Sequence, residues 1–431
     1  MRVDGGFLAE NRPGERGLAH LIEHLVFHSP TQSAPDQVRR FRQIGFPLSL
    51  PEPAGGTTSW RESDYALVSR TNKSADIEAL LGLFREVASE LIFRPDLVDE
   101  QRAEVMREMA DKQLGNDIYA SFIAAVGPGT PNDLIDAQNS DDVPTASIQT
   151  IRVLYQRLYR PENTSIVIVG NVDPREIEAI IVKRFSDWQG QGEKGVPRAV
   201  PALQSTRVSP ISFSGLKYSR NVSFFTIAMP VMAKPQSVAA ETEATLLDLL
   251  MIRALNNRLA IGKEAYHQGQ YGSFIENGEN GFRSLVLWDN FVPGSWRKAV
   301  GNFARIACEI DLHGFSDAEW SSAKQGLLDE FEQPATTADE ARSFEVALRL
   351  ANAVTLERAF FSPAELLLHA KIMLPKLNAV DGRAWWRQQK EAGVAHLRVE
   401  APELAHEPDG SSAIRAIVNA ATQDKRCLIG H

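Results

Sequence analysis

Residues Gly17 to Phe27 read Gly-Leu-Ala-His-Leu-Ile-Glu-His-Leu-Val-Phe, and this stretch guides the interpretation of the whole chain. Its apolar residues recur at the spacing of an amphipathic helix, which predicts a helix over residues 15–28. On a helix with 3.6 residues per turn, His20 and His24 lie on the same face and Glu23 borders it. The intervening Leu-Ile pair points the other way, towards a core.

The two histidines are well placed to hold a metal ion. Neutral imidazoles one turn apart can converge on one divalent cation, and Glu23 is near enough to reach a water on that ion. His-x-x-Glu-His is the order found in inverted zinc peptidases, in which the histidines bind zinc and the glutamate is the general base. The motif alone leaves open a second interpretation, a helix with two ordinary surface or core histidines.

A catalytic zinc usually takes a third protein ligand, and a later segment offers one. The predicted helix 97–113 has a polar face formed by Gln101, Glu104 and Glu108, opposite an apolar stripe. Taken alone, such a face is more often an acidic surface exposed to solvent. The sequence therefore supplies candidates for the third ligand without deciding between them.

These segments resemble the insulinase/pitrilysin family, which includes the mitochondrial processing peptidases. Gln101-Arg-Ala-Glu-Val-Met-Arg-Glu108 is similar to that family's E-x-x-x-V-x-x-E segment. The resemblance implies that Glu108 is the third zinc ligand and that Gln101 and Glu104 support the site. Three further elements resemble the family: Tyr159-Arg-Pro-Glu-Asn163, the run 165–173, and Phe185-Ser-Asp-Trp188. The likeness is good over residues 3–190 and only a pattern match over 220–390.

The resemblance implies a zinc metalloendopeptidase that hydrolyses peptides or unfolded protein segments through a metal-activated water. One Zn²⁺ per chain would be held by His20, His24 and Glu108, with Glu23 as the catalytic base. The substrate would add as an extended strand at an edge formed by Gly55, Gly56, Thr57 and Thr58. In that family a second half supplies an Arg/Tyr pair, so the expected partner is a C-terminal half, a partner subunit or a second copy.

Two departures from the family pattern keep an alternative open. Gln101 stands where the family usually has glutamate, and glutamine brings no charge to the site. The edge Gly55-Gly56-Thr57-Thr58 lacks the asparagine that holds substrate in the family. The alternative is a non-catalytic interaction subunit like those related to processing peptidases, or a half that is inactive without its partner.

Strands interleaved with long helices predict an α+β fold. The resemblance implies two homologous α/β sandwich-like domains, each a mainly antiparallel sheet packed with helices, together forming one half of a clamshell. The β-branched run 164–170 predicts a buried strand. Because the chain begins 19 residues before His20, the family's first strands are expected to be absent.

The domain boundaries follow from composition and from the resemblance. Residues 1–190 are predicted to form a metal-bearing peptidase domain, and the segment 191–208, rich in Gly, Pro, Ser and charge, a linker. Residues 209–390 are predicted to form a second, homologous domain without metal. Residues 391–431 show weak structural signals and are predicted to be a tail or the start of an interdomain linker.

Composition excludes several other classes of protein. With 46 Lys+Arg against 55 Asp+Glu the net charge is −9, so no nucleic-acid partner is expected. No apolar run is long enough for a membrane span, and the N-terminus shows no signal peptide. A soluble protein is expected, periplasmic rather than cytoplasmic if a longer precursor carried a signal. Cys308 and Cys427 are far apart and predict neither a disulfide framework nor a cysteine metal site.

Overall fold

The chain folds into two compact units that each combine a sheet with helices. The computed structural model describes residues 1–36, 55–59, 61–69, 71–126, 140–195, 211–216, 221–228, 237–260, 267–277, 283–336, 340–355, 359–391 and 393–423. The first unit comprises Met1–Ala120, Pro131–Val200 and Asp339–Phe360, and the second comprises Ser121–Thr130, Pro201–Ala338 and Phe361–His431. The predicted α+β class is confirmed.

The first unit contains a four-stranded sheet in which every pairing is antiparallel. Its strands are β1 (Arg2–Asp4), β2 (Gly55–Thr58), β3 (Glu62–Ala66) and β4 (Thr164–Ser165). Their order is β2-β3-β1-β4, which places β2 at one edge of the described sheet. A strand therefore precedes the His20 helix, contrary to the expectation that the first strands would be absent.

Strand β4 is shorter than the β-branched run 164–170 predicts. The register pairs Ser165 with Arg2, the first residue of β1, and residues 166–169 are not paired as a strand. Ile166 and Ile168 still pack against the core of the unit. Apolar patterning thus identified a packed segment correctly, whereas its length as a strand depends on the partner strand.

The first unit is held together by helices whose apolar faces meet. The helices are α1 (Leu18–His28), α2 (Ser74–Ser89), α3 (Pro95–Val126), α4 (Ile148–Leu158) and α5 (Pro174–Phe185). Leu18, Leu21, Ile22 and Leu25 of α1 are fully buried. Burying each such side chain stabilises a fold by about 1.5–3 kcal/mol, so α1 is firmly seated and its opposite face stays free for polar residues.

The second unit contains a five-stranded, mainly antiparallel sheet. Its strands are β5 (Ile211–Leu216), β6 (Asn221–Ala228), β7 (His267–Asn277), β8 (Arg283–Phe291) and β9 (Gly393–Glu400). The order is β5-β9-β6-β8-β7, and only β5 and β9 run parallel among these described strands. Strand β9 lies inside the sheet, between β5 and β6.

Residues 391–431 are therefore not the tail that the sequence predicts. They contribute β9 and a helix that ends the described chain. The mixed polarity that suggested a tail reflects a strand with two different faces, because Leu397 and Val399 are buried while Arg398 between them is partly exposed. Residues 339–360 also differ from the prediction, since they group with the first unit.

The remaining helices are α6 (Val238–Ala260), α7 (Trp296–His313), α8 (Asp317–Thr336), α9 (Glu340–Thr355), α10 (Pro363–Met373), α11 (Ala379–Glu391) and α12 (Gly410–Thr422). All of these helices except α9 lie in the second unit. They surround a core that includes Trp385 and Trp386. Each indole N–H donates to an aspartate, Trp385 to Asp248 at 2.8 Å and Trp386 to Asp311 at 2.6 Å.

Cys308 on α7 is disulfide-bonded, which corrects the expectation that the cysteines form no disulfide. Cys427, the only other cysteine in the sequence, lies outside the described residues. None of the described helices is both long and apolar enough to cross a bilayer.

Candidate metal centre

Helices α1 and α3 bring three potential metal ligands together. The ligand atoms of His20, His24 and Glu108 all lie within 4.8 Å of one another. Oε2 of Glu108 is 3.4 Å from Nε2 of His20 and 3.3 Å from Nε2 of His24. The histidines come from the polar face of α1, and Glu108, which follows His24 by 84 residues, comes from α3.

The spacing of these atoms suits a tetrahedral ion. Zinc binds histidine nitrogen and carboxylate oxygen at about 2.0–2.2 Å, so two ligands of one tetrahedral ion lie about 3.3 Å apart. The two distances from Glu108 match that value. Two imidazoles and one carboxylate are also a donor set that zinc accepts in catalytic sites, leaving a fourth position for water. The residues present therefore fit a zinc ion.

Glu23 lies beside this triad, almost completely buried. Its Oε2 is 3.9 Å from Nε2 of His20, and the residue is 7% exposed. Burial raises the pKa of Glu23 above its usual value, and the charges of His20 and His24 oppose that shift only in part. A carboxyl group with a raised pKa can take up and return a proton near neutral pH, as a general base requires.

Strand β2 runs along Glu23 and holds its carboxylate. The hydroxyl of Thr58 donates a 3.0 Å hydrogen bond to Oε2 of Glu23 and lies 3.2 Å from the Ser63 hydroxyl. At Gly56, an added Cβ would lie only 2.5 Å from Oε1 of Glu23. The close approach explains why glycine suits this position. The predicted substrate edge, Gly55 to Thr58, is thus adjacent to the metal-ligand triad.

Gln101 contacts one of the two histidines. It is 3% exposed, and its Oε1 lies 3.4 Å from Nδ1 of His24. Because an amide oxygen only accepts, this contact favours the tautomer in which Nδ1 of His24 carries the proton and Nε2 is left to bind a metal. Gln101 therefore lies beside His24, and its supporting role stays a prediction.

Glu104 differs from its predicted role. It forms an ion pair with Arg107, one turn further along α3, and its side chain is 41% exposed. The contacts described for Glu104 involve this neighbour rather than the histidines. Arg107, three residues after Glu104 on the same helix, holds the Glu104 carboxylate at the helix surface. The helical periodicity of Gln101, Glu104 and Glu108 did not reveal this ion pair.

Two further polar contacts involve His24 and His28. Burial lowers the pKa of His24, but its hydrogen bond to Glu108 and the charges of Glu23 and Glu108 outweigh burial and leave it raised. His28, one turn further on, has Nδ1 2.9 Å from the carbonyl oxygen of His24. His28 thus interacts with the C-terminal end of α1 and is not part of the triad.

Sequence reasoning missed two contacts at this site. It assigned Thr58 to substrate binding and did not foresee its hydrogen bond to Glu23, 35 residues away. It also did not identify Glu10, whose carboxylate accepts hydrogen bonds from the first turn of α1. Neither contact has a local signal, because both join segments that are brought together only by the fold.

An α+β fold with an inverted His-x-x-Glu-His helix and a carboxylate from a later helix defines the class of inverted-motif peptidases. The family model described as the Peptidase M16 inactive domain matches residues 145–327. The chain is thus similar to M16 peptidases, in agreement with the resemblance of its motifs to the insulinase/pitrilysin family.

Similar proteins include a probable zinc protease, PqqL, of Escherichia coli. The chain is 21% identical to it over 408 residues, which cover 91% of this chain and 42% of that relative. The crystal structure of the periplasmic protease PqqL from Escherichia coli superposes with a TM-score of 0.78 at 20% identity, covering 98% of this chain and 47% of that one. A structure of the first half of that protease gives a TM-score of 0.77, and 91% of it is covered.

Two features of these matches bear on function. The chain spans well under two thirds of the full-length relative's sequence and corresponds in extent to its first half. The inactive-domain match begins at residue 145, after all three members of the triad, so the residues that form the triad lie outside it.

Proposed function

We propose that this chain is a zinc metalloendopeptidase half that hydrolyses peptides or unfolded protein segments. The observation that carries the proposal is the convergence of His20, His24 and Glu108 at zinc-ligand spacing, with the buried Glu23 beside them. One Zn²⁺ per chain would be held there. When bound, zinc supplies Lewis-acid polarisation of a water and of the scissile carbonyl group.

The roles of the protein's own residues follow from their positions. Glu23 accepts a proton from the attacking water and later returns it to the leaving amine. Thr58 donates to Oε2 of Glu23, the same oxygen that lies 3.9 Å from Nε2 of His20, and so orients the carboxylate beside the triad. Gln101 fixes the ring of His24 through Nδ1. Glu108, with a side chain 33% exposed, leaves the triad accessible to solvent and to substrate.

The substrate is proposed to be an extended polypeptide that pairs with the edge strand β2. Strand β2 pairs with β3 on one side and is at the edge of the described sheet on the other. Adding a strand to such an edge uses backbone hydrogen bonds, so it recognises extended chains with little regard for sequence. Gly55 and Gly56 have no side chains to obstruct that approach.

Full activity is proposed to need a second half that supplies an Arg/Tyr pair. The proposal rests on the length of the relatives, since the chain covers 47% of the full-length PqqL structure. We also propose a periplasmic location. The similar PqqL is described as periplasmic, and a disulfide at Cys308 is compatible with an oxidising compartment.

The decisive experiment measures zinc content and hydrolysis of a quenched unstructured peptide for the wild type and for Glu23→Gln. Glu104→Gln is the matched control, because Glu104 is also a helical glutamate of this unit but pairs with Arg107. We expect zinc in all three proteins and loss of cleavage only in Glu23→Gln. A metal-replete wild type without zinc would refute the proposal. The assay is run with and without the second half.

The alternative is a non-catalytic interaction subunit, and the match to an inactive-domain model together with glutamine at position 101 favours it. This alternative predicts that zinc binds weakly or not at all and that no peptide is cleaved in the presence of a second half. Cleavage that depends on Glu23 would exclude it.

A further inference from the structure

The start of helix α1 is capped from a distance. Gly17 is its N-cap residue and has no side chain with which to cap the helix. Glu10 takes over that role: its Oε2 accepts a 2.9 Å hydrogen bond from the Gly17 amide and its Oε1 a 2.7 Å bond from the Ala19 amide. Both oxygens of one carboxylate therefore serve the first turn of α1, whose amides would otherwise lack intrahelical partners.

The segment that carries Glu10 is itself firmly anchored. Glu15 and Arg157 form a 2.5 Å ion pair with side chains only 3% and 2% exposed. Arg157 also donates a 3.1 Å hydrogen bond to the carbonyl oxygen of Ala9, directly before Glu10. These contacts hold Glu10 in a fixed position next to the first turn of α1.

Gly17 limits how else the helix could begin. Its φ is +84°, and an added Cβ would lie 2.6 Å from the Cα of Ser140. A residue with a capping side chain would be strained at this position and would collide with the neighbouring backbone. The close packing at Gly17 thus excludes the ordinary N-cap residues and explains why a carboxylate from outside the helix is used.

We propose that Glu10 is a positioning residue for the metal centre. His20 directly follows Ala19, so the carboxylate that fixes the Ala19 amide also fixes the turn from which His20 reaches Glu108. This inference rests on the proposed zinc site, and it adds a residue that the metal ligands and Glu23 do not include.

The first test is zinc affinity, measured on the full chain by competition with a chromophoric chelator. Glu10→Gln keeps the size of the side chain but removes the charge and one of the two acceptor oxygens. We expect its zinc dissociation constant to rise about tenfold, the lower end of the effect of supporting residues around a metal. Glu10→Asp keeps the carboxylate on a shorter stem and is expected to give a smaller rise.

The matched control is Asp173→Asn. Asp173 caps α5 in the same unit by accepting a 2.9 Å hydrogen bond from the Arg175 amide, and α5 carries none of the proposed ligands. Asparagine keeps the capping acceptor and removes only the charge, so we expect Asp173→Asn to lower the melting temperature slightly and to leave zinc affinity unchanged. If Glu10→Gln behaves like this control, with zinc affinity within about twofold of the wild type, Glu10 only stabilises the helix and the inference is overturned.

The second test uses metal-free protein, so it remains informative if the wild type binds no zinc. Hydrogen exchange of peptides that cover residues 17–24 is compared between the wild type and the Glu10 variants. We expect exchange in the first turn of α1 to be at least about tenfold faster in Glu10→Gln, with α5 unchanged. Unchanged exchange in α1 overturns the role of Glu10, whereas absence of zinc from the wild type overturns the proposed function instead. If Glu10→Gln does not fold, the same comparison is made with Glu10→Asp.

Discussion

The hydroxyl of Thr58 donates a 3.0 Å hydrogen bond to Oε2 of Glu23, which joins the edge strand of the first unit to the carboxylate beside the metal-ligand triad. Glu23 is almost buried, so water cannot readily replace this partner. The strand proposed to bind substrate and the residue proposed to move the proton are therefore linked by one direct contact.

Replacing Thr58 with valine removes that donor while keeping the shape of the side chain. A hydrogen bond to a charged group contributes about 1.5–3 kcal/mol, so kcat is expected to fall about ten- to a hundredfold if the bond matters equally in the transition state. Zinc content should not change. Thr145→Val is the control, since Thr145 is exposed, belongs to the same unit and lies outside the strand proposed to bind substrate. Steady-state kinetics in which both variants match the wild type would show that Thr58 does not support Glu23.

Gly56→Ala tests the close approach of β2 to Glu23. The added methyl group would lie 2.5 Å from Oε1 and 2.9 Å from Cγ of Glu23, so the carboxylate has to move. A displacement of about 1 Å at a reacting group can cost about a hundredfold in rate. We expect a loss of that order in kcat with zinc retained. Gly170→Ala serves as control, because nothing lies within 4 Å of its added Cβ.

Glu108→Gln tests the third ligand. An amide oxygen lacks the negative charge that zinc favours, so affinity should fall by more than the roughly 10–100-fold effect of supporting residues. Glu104→Gln, one turn earlier on α3, should leave affinity unchanged because its side chain pairs with Arg107. Equal zinc affinities in calorimetric titrations of the two variants would remove Glu108 from the ligand set.

Much of the site could be predicted because its main signal is local. The positions of His20, Glu23 and His24 on one helical face follow from the 3.6-residue period, and the fully buried Leu21 and Ile22 on the opposite face confirm that reading. Glu108 needed more than periodicity. Helix geometry left several polar residues on α3 equivalent, and only the family resemblance distinguished Glu108 from Glu104.

The features that were missed depend on contacts between distant segments. No local pattern links Glu10 to the start of α1. The sequence signature of a capping box joins residues three apart, whereas Glu10 and Ala19 are nine residues apart. Strand β9 was taken for a tail since one of its faces is polar, and its neighbours β5 and β6 lie more than 160 residues earlier. The disulfide at Cys308 likewise had no sequence signal beyond the presence of a second cysteine.

The acid sensitivity of the second unit is predicted to depend on Glu319. Burial raises the pKa of Glu319, but hydrogen bonds from Arg258 and from the Ser316 amide lower it further than burial raises it, leaving it below 4.5. Because the folded-state pKa is depressed, this stabilisation is present above about pH 4.5, the unfolded value, and is lost as the pH falls through the folded value.

Urea unfolding of Glu319→Gln should therefore show lower stability than the wild type at pH 7, with the difference shrinking below about pH 4.5. Glu330→Gln is the control, since the Glu330 side chain is 60% exposed and pairs at 3.3 Å with Arg253. A difference that stays constant down to pH 2 would show that Glu319 does not titrate with a lowered pKa.

Gln101→Glu asks whether the uncharged residue at this position limits metal binding. A carboxylate 3.4 Å from Nδ1 of His24 would accept its proton more strongly and make Nε2 a better ligand, so zinc affinity should rise about tenfold. Position 101 is only 3% exposed, and an extra buried charge should destabilise the metal-free protein until zinc compensates for it.

Gln101→Met keeps the volume but removes the acceptor, and it should weaken zinc binding instead. The comparison requires competition titrations together with melting curves with and without zinc. If Gln101→Glu binds zinc no more tightly than the wild type, the glutamine already meets the needs of His24 and does not account for any weakness of the site.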